Sequence, residues 1–161
     1  MAHGWKMEEL NAKRRLVYFE SSLQGPKVVV RFWAISQDEY SALPNASGST
    51  VISCIYDEER DECVATSVDI LHLLEVILYS EFGIDERNRI RRNLEGLRPK
   101  AIAKSQPDTE TLFSLIMEFP YPKPRSIEKS LKVFRWASLE AALNKIISKF
   151  VRYLFCYHLD M

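Results

Sequence analysis

Glycine and histidine are scarce in this chain of 161 residues, with five of the first and three of the second. Five scattered glycines leave little material for a phosphate-cradling loop, which needs several of them close together. The histidines, His3, His72 and His158, fall at the N-terminus, inside an apolar helical pattern and in an apolar tail. No acid–base constellation assembles from such positions, and a packed or surface role is the expectation for His72. Cysteine is limited to Cys54, Cys63 and Cys156, an odd number without paired metal spacing. That fits free thiols in a reducing compartment, with a Cys54–Cys63 bridge across a hairpin as the alternative. No His-Glu-x-x-His, Cys-x-x-Cys or Gly-x-Ser-x-Gly pattern occurs, so neither a zinc centre nor a serine nucleophile is expected. Long apolar runs are missing too. Nothing approaches the roughly 18 residues needed to span a bilayer, and Met1-Ala2-His3-Gly4 has none of the parts of a signal peptide. The expectation is a soluble intracellular protein that is not an enzyme, with no metal, cofactor, small-molecule substrate or membrane partner.

Net charge is also absent, since 22 basic side chains balance 22 acidic ones. The balance hides a division. Residues 1–85 hold seven basic and fourteen acidic side chains, and residues 86–161 hold fifteen basic and eight acidic ones. A split of this kind predicts either a surface facing a polyanion or two halves that attract each other. Hydrophobic residues at 47% and charged residues at 27% are ordinary for one globular domain, and such domains occupy about 100–200 residues.

The stretch Arg15-Leu-Val-Tyr-Phe-Glu20 and the run Lys27-Val-Val-Val-Arg-Phe-Trp-Ala-Ile35 flank a Gly-Pro turn and predict a hairpin. The second run is apolar almost throughout, which reads as a central strand buried on both faces. Residues 36–50 read as a loop. A second hairpin, residues 51–56 with 62–66, surrounds the acidic turn Asp57-Glu-Glu-Arg-Asp61, which lacks the ligand spacing of a calcium loop. Beyond Thr66 the period becomes helical. One helix is expected from Ser67, as N-cap, to about Phe82, and a second from Asp85, as N-cap, with Ile90, Leu94 and Leu97 in one stripe. A third is expected from near Asp108 to before Pro120, and a last one from about Ser138 past Tyr153. Pro120-Tyr-Pro-Lys-Pro124 cannot be helical, because alternate prolines hold the backbone extended. It reads as a rigid connection or as a ligand for an aromatic-lined groove. The apolar stretch after Tyr153 is expected to dock on the body or on a partner.

The most informative segment is Glu86-Arg-Asn-Arg-Ile-Arg-Arg-Asn-Leu-Glu-Gly-Leu-Arg-Pro-Lys-Ala-Ile-Ala-Lys104. On a helix Arg87 and Arg91 are neighbours at i, i+4, and Arg89 and Arg92 at i, i+3. Ile90 and Leu94 point the other way. Arg98, Lys100 and Lys104 extend the positive surface. Such a helix can rest its apolar stripe on a core and offer guanidinium groups to phosphates, with Asn88 or Asn93 placed to read an adenine edge. The competing reading is a solvated helix whose arginines pair with the acidic first half. Lys123, Arg125, Lys129, Lys132 and Arg135 form a second basic run beside Tyr121, Phe134 and Trp136.

Several motifs resemble the conserved domain of the Medusa family of fungal developmental regulators. They are Cys54-Ile-Tyr with Asp61-Glu-Cys, Thr66-Ser-Val-Asp69, and Asn88-Arg-Ile-Arg-Arg-Asn-Leu-Glu-Gly-Leu97. Phe119-Pro-Tyr-Pro-Lys-Pro-Arg-Ser-Ile-Glu-Lys129 and Lys132-Val-Phe-Arg-Trp136 follow in the same order. The resemblance covers roughly residues 14–149 and departs from the family pattern at Ser126 and Arg135, where Asn and Pro are expected. It implies a nuclear regulator of sporulation and morphogenesis, either an excised domain or a short relative of longer proteins. It assigns no catalytic residues.

These readings together predict an α+β fold: an N-terminal antiparallel sheet of about four strands, then about four helices, around a single core. Residues 1–13 are expected as a tag remnant or a disordered or helical N-terminus, 14–153 as the domain and 154–161 as an apolar tail. The expected DNA-binding set is Arg87, Asn88, Arg89, Arg91, Arg92, Asn93, Arg98, Lys100 and Lys104. The alternative is a module that binds other regulators, or a second copy of itself, without touching DNA. That module would use Tyr121, Pro122 and Pro124 or Leu154, Phe155 and Tyr157.

Overall fold

The computed structural model describes residues 1–44, 48–123 and 129–158, with backbone alone for 151–158. One antiparallel sheet organises the chain. Its strands are β1 (Arg14–Gln24), β2 (Lys27–Ile35), β3 (Ser49–Asp57), β4 (Glu62–Thr66), β5 (Lys100–Ala103) and β6 (Ser130–Arg135). Their order is β2-β1-β3-β4-β6-β5. The helices are α1 (Met7–Ala12), α2 (Gln37–Ser41), α3 (Ser67–Ile77), α4 (Ile84–Leu94), α5 (Glu110–Glu118) and α6 (Leu139–His158). The class is therefore α+β.

The two N-terminal hairpins supply four strands of the sheet, and the C-terminal half supplies two more. In β6, Leu131 and Val133 alternate with exposed Lys132, a period-2 pattern obscured in the sequence by its basic residues. β6 pairs with β4, Ala65 opposite Phe134, and β5 pairs with β6, Ile102 opposite Leu131. The expected sheet of four strands is thereby corrected to six.

β2 is an edge strand, which corrects its reading as central. Phe32 is 53% and Trp33 43% exposed. Its apolar character is used across the strand pair, where Phe32 stacks on Phe19 at 5.4 Å between centroids and Trp33 meets Tyr18 at 4.7 Å.

Both faces of the sheet carry apolar side chains, so the single core expected is two clusters separated by strands. On one face Val17, Phe19, Ile52 and Cys54 pack with Ile70, Leu73, Leu74 and Ile77 of α3, Ile90 and Leu94 of α4, and Ala142 and Ile146 of α6. On the other, Leu112, Phe113 and Ile116 of α5 cover Ile55, Val64, Ile102, Leu131 and Val133. Thr109 ties this second layer down: its buried hydroxyl accepts from Ala103 N–H at 3.1 Å and lies 3.2 Å from the Ala103 carbonyl.

Local chemistry sets the helix ends. Thr66, rather than Ser67, caps α3, accepting from Asp69 N–H at 3.1 Å. The helix stops at Ile77, short of Phe82, because Tyr79 turns into the left-handed region at φ 50°. The Tyr79 hydroxyl then donates to the Ser21 carbonyl at 2.6 Å. Gly48 stands against that ring, where an added Cβ would lie 2.5 Å from the hydroxyl oxygen. Gly83, rather than Asp85, occupies the N-cap of α4 and leaves Asp85 and Glu86 in its first turn. Inside the expected loop 36–50, Ser36 and Glu39 form a capping box that starts α2.

The first residues are held to the body. Arg15 donates to the carbonyls of Met1, His3 and Gly4 and to both carboxylate oxygens of Glu9 on α1. Trp5 lies against its guanidinium, 5.5 Å from the ring centre.

Candidate nucleic-acid interface

α4 rests on the core through Ile90 and Leu94, 2% and 1% exposed, and its remaining positions turn outward. Asp85 and Glu86 in the first turn and Arg91 and Arg92 in the last suit the helix dipole. The 3-10 turn Glu95–Leu97 follows, closed by Arg98 in the left-handed region at φ 55°. That reversal swings the chain into β5, so Lys100 continues the basic surface along a sheet edge.

The nine residues of the expected DNA-binding set divide by what they touch. Arg87 is engaged, donating to Glu75 Oε1 from Nε at 3.2 Å and from Nη2 at 2.7 Å. Glu75 also accepts from Phe82 N–H at 3.2 Å, so Arg87 works as a tie between α3 and α4. Asn93 is engaged at both ends: Nδ2 donates to the Arg89 carbonyl at 3.1 Å, and Oδ1 accepts from Lys149 at 2.6 Å. Exposed Asn88 accepts from Arg91 at 3.4 Å. Among the described residues Arg89, Arg91, Arg92, Arg98, Lys100 and Lys104 form no ion pair. Two ion pairs among those residues join the acidic half to the basic half, Arg87–Glu75 and Arg135–Glu62 at 3.1 Å.

A groove of about 320 Å³ opens beside the end of α4. Arg91 and Lys132 line it, with Ser67 at the start of α3 and Ser130 at the start of β6. Leu71 and Phe134, both nearly buried, contribute apolar lining. The two basic runs of the sequence therefore meet in one cavity, through Arg91 from the first and Lys132 from the second. Lys132 is ion-paired with Glu95, which also lines the groove. Within the second run, Arg135 pairs with Glu62, Lys123 lies 5.5 Å from the Tyr121 ring centre, and Lys129 is exposed. Arg125 lies outside the described residues.

The proline segment is bound to its own domain. Arg14 Nη1 donates to the carbonyls of Pro120 at 3.1 Å and Pro122 at 2.6 Å, and Nη2 to Gln37 Oε1 at 3.0 Å. Gln37 in turn donates to the Tyr121 carbonyl at 2.6 Å. The Arg14 guanidinium lies 4.5 Å from the Phe119 ring centre. The Tyr121 ring itself is exposed. Pro124 lies outside the described residues, and Leu154, Phe155 and Tyr157 fall where α6 is described by backbone alone.

Burial alters the ionisation of several groups. Desolvation pulls Arg14 down to about 10, opposed by the charge of Asp69. It pushes the Asp69 carboxyl up to about 6, opposed by the hydrogen bond from Ser53 N–H at 3.4 Å and by Arg14. The Cys54 thiol is pushed far up for the same reason and shares a hydrogen bond with Cys63. Both thiols are free, and a raised pKa makes a poor nucleophile. Among the described residues no metal-holding group of His, Cys, Asp and Glu is present, and no helix is long and apolar enough to cross a membrane.

Sequence reasoning missed Arg14 and Arg15, whose partners lie far along the chain or in its first residues. It missed Ser67 and Glu95 as groove residues as well. Only for Lys132 was a signal present, its place in a basic run.

A family model with the description Domain of unknown function (DUF7082) matches residues 1–147. No curated protein and no solved structure matches the chain.

Proposed function

We propose that this chain, which belongs to the family described as Domain of unknown function (DUF7082), binds DNA through α4 and the start of β5. The role that goes with this reading is that of a nuclear regulator in a fungus, as the Medusa resemblance implies. One observation carries it: six cations follow one another along a helix, the edge strand after it and the turns on either side of that strand, and none is neutralised by an ion pair among the described residues. Helix and sheet already fix the backbone that carries Arg89, Arg91, Arg92 and Lys100, and phosphates that reach these cations release their condensed counterions. Asn88 is the candidate for a base contact, because Asn93 already spends both ends of its amide within the chain.

The test is fluorescence anisotropy of a labelled duplex across a salt series, for the parent chain and an Arg89→Ala/Arg92→Ala variant. Binding on the order of micromolar at low salt is expected. The slope of log affinity against log salt should flatten by about two units in the variant. Absence of binding at low salt on several duplexes and single strands sinks the reading.

A second reading, an interaction module without DNA contact, has its own observation. β2 is an edge strand of nine residues with Phe32 and Trp33 exposed, and unprotected edges invite another strand. Association through such an edge persists in high salt and is lost on Phe32→Lys. Association that instead falls with salt counts against it.

A further inference from the structure

We infer that the groove between α3, the end of α4 and the β5–β6 pair holds one unpaired nucleotide, so that the basic surface prefers single-stranded to duplex nucleic acid. The inference rests on the reading of α4 as a polyanion-binding surface and deepens it.

The argument begins with size. About 320 Å³ is at the lower end for small-ligand sites, which run to roughly 300–1,000 Å³. A base with its phosphate fits that space, and a paired double helix does not. Composition narrows the ligand. A groove meant for phosphate alone needs cations and hydroxyls, and Arg91, Lys132, Ser67 and Ser130 provide them. It has no need of the apolar lining from Leu71 and Phe134. Conversely, the flat face of a base gains from an apolar surface only when it is unstacked, and in a duplex that face is covered by its neighbours. Single-strand sites combine a basic groove with aromatic side chains on which bases stack, and Phe134 is the aromatic residue in this lining.

Position supports the same ligand. Arg92 stands about 100° round α4 from Arg91, and Arg89 about 60° further on, so a strand that crosses the exposed side of the helix meets all three cations and reaches the groove at Arg91. Lys132 arrives from the other side, on β6. Its present partner is the exposed carboxylate of Glu95. A phosphate entering the groove takes over Lys132 and meets repulsion from Glu95, which makes Glu95 a brake on binding.

The experiment uses the full chain and anisotropy of a labelled single strand of about a dozen nucleotides, the same sequence as duplex, and the same sequence as RNA. Variants are Ala101→Trp, which fills the groove from an exposed position on β5, Glu95→Gln, and Arg89→Ala/Arg92→Ala. Expected is single-strand binding about tenfold tighter than duplex binding. Ala101→Trp should remove that preference by weakening single-strand binding severalfold more than duplex binding. Glu95→Gln should tighten single-strand binding severalfold, an effect that misfolding cannot produce. RNA bound as well as DNA supports the groove and widens its strand class. Equal affinity for single strand and duplex, or no response to both groove variants, overturns the inference while leaving the reading of α4 intact. Failure of that reading looks different: neither form binds, or the Arg89/Arg92 variant binds as well as the parent. Displacement of the strand by a nucleoside monophosphate at the strand's own affinity would overturn the strand assignment, making this a free-nucleotide site.

Discussion

The chain contains two Arg-Arg pairs, and the fold puts them to opposite uses. Arg14 and Arg15 open β1 and are buried, 6% and 7% exposed. Arg91 and Arg92 close α4 and are exposed. The difference comes from the element each pair occupies. A strand sends consecutive side chains to opposite faces, so Arg14 reaches the Pro120–Pro122 carbonyls while Arg15 reaches α1 and the first residues. Each guanidinium is surrounded by acceptors, the condition under which a buried cation is tolerated. A helix turns consecutive residues by about 100°, and both Arg91 and Arg92 fall outside the Ile90–Leu94 stripe. Burial with partners makes an arginine a structural clamp. Exposure without an ion pair leaves it available to an anion.

Removing the clamps should have the largest effect. Arg14→Ala takes the donor from the carbonyls of Pro120 and Pro122 and empties a buried place beside Phe119, and hydrogen bonds to a charged group contribute about 1.5–3 kcal/mol. A loss of roughly 3 kcal/mol in urea unfolding is expected, with Arg15→Ala close behind through Glu9 and three carbonyls. If either variant unfolds at the parent midpoint, the clamp reading is wrong.

The carboxyl of Asp69, which feels the charge of Arg14, gives a smaller, pH-dependent effect. Asp69 is harder to ionise in the fold, at about 6, than in the unfolded chain, where 3.8 applies. Its protonated form therefore stabilises the fold fully below the unfolded value, and that contribution is lost as pH rises through about 6. Between pH 4 and pH 7 this one group should weaken the fold by on the order of 2–3 kcal/mol. Asp69→Asn should remove that part of the pH dependence in thermal unfolding. An unchanged pH profile in the variant would show that Asp69 ionises freely.

The smallest effect on stability belongs to the other pair. Arg91→Ala/Arg92→Ala should stay within about 0.5 kcal/mol of the parent, as exposed positions without ion pairs do, while polyanion binding drops. A stability loss like that of Arg14→Ala would erase the contrast between the pairs.

Much of this was legible in the residues. The 3.6-residue period placed α3, α4, α5 and α6, and the spacing of Ile90 and Leu94 put the arginines of α4 outside. Hairpins β1–β2 and β3–β4 announced themselves through short turns. The less legible parts share a cause. β5 is four residues long, and the alternation of β6 breaks at Val133-Phe134, which are both buried. Neither has a local signal that outweighs its basic composition. Ser36 and Glu39 did carry one, since Ser-x-x-Glu is a capping signature, and it was hidden inside a stretch read as loop. In the candidate site the helix and its cations were readable, and the groove was not.

By itself, the sequence determined the first two hairpins, the helices α3 to α6 and which face of α4 meets solvent, because periodicity, caps and turns act over a few residues. Tertiary structure alone decided that β2 lies at an edge, that β6 inserts between β4 and β5, and that Arg91 and Lys132 share a groove. It also decided that Arg14 is consumed in holding the proline segment. Those outcomes depend on pairing between strands and on acceptors many residues away, and no short window of sequence contains both partners.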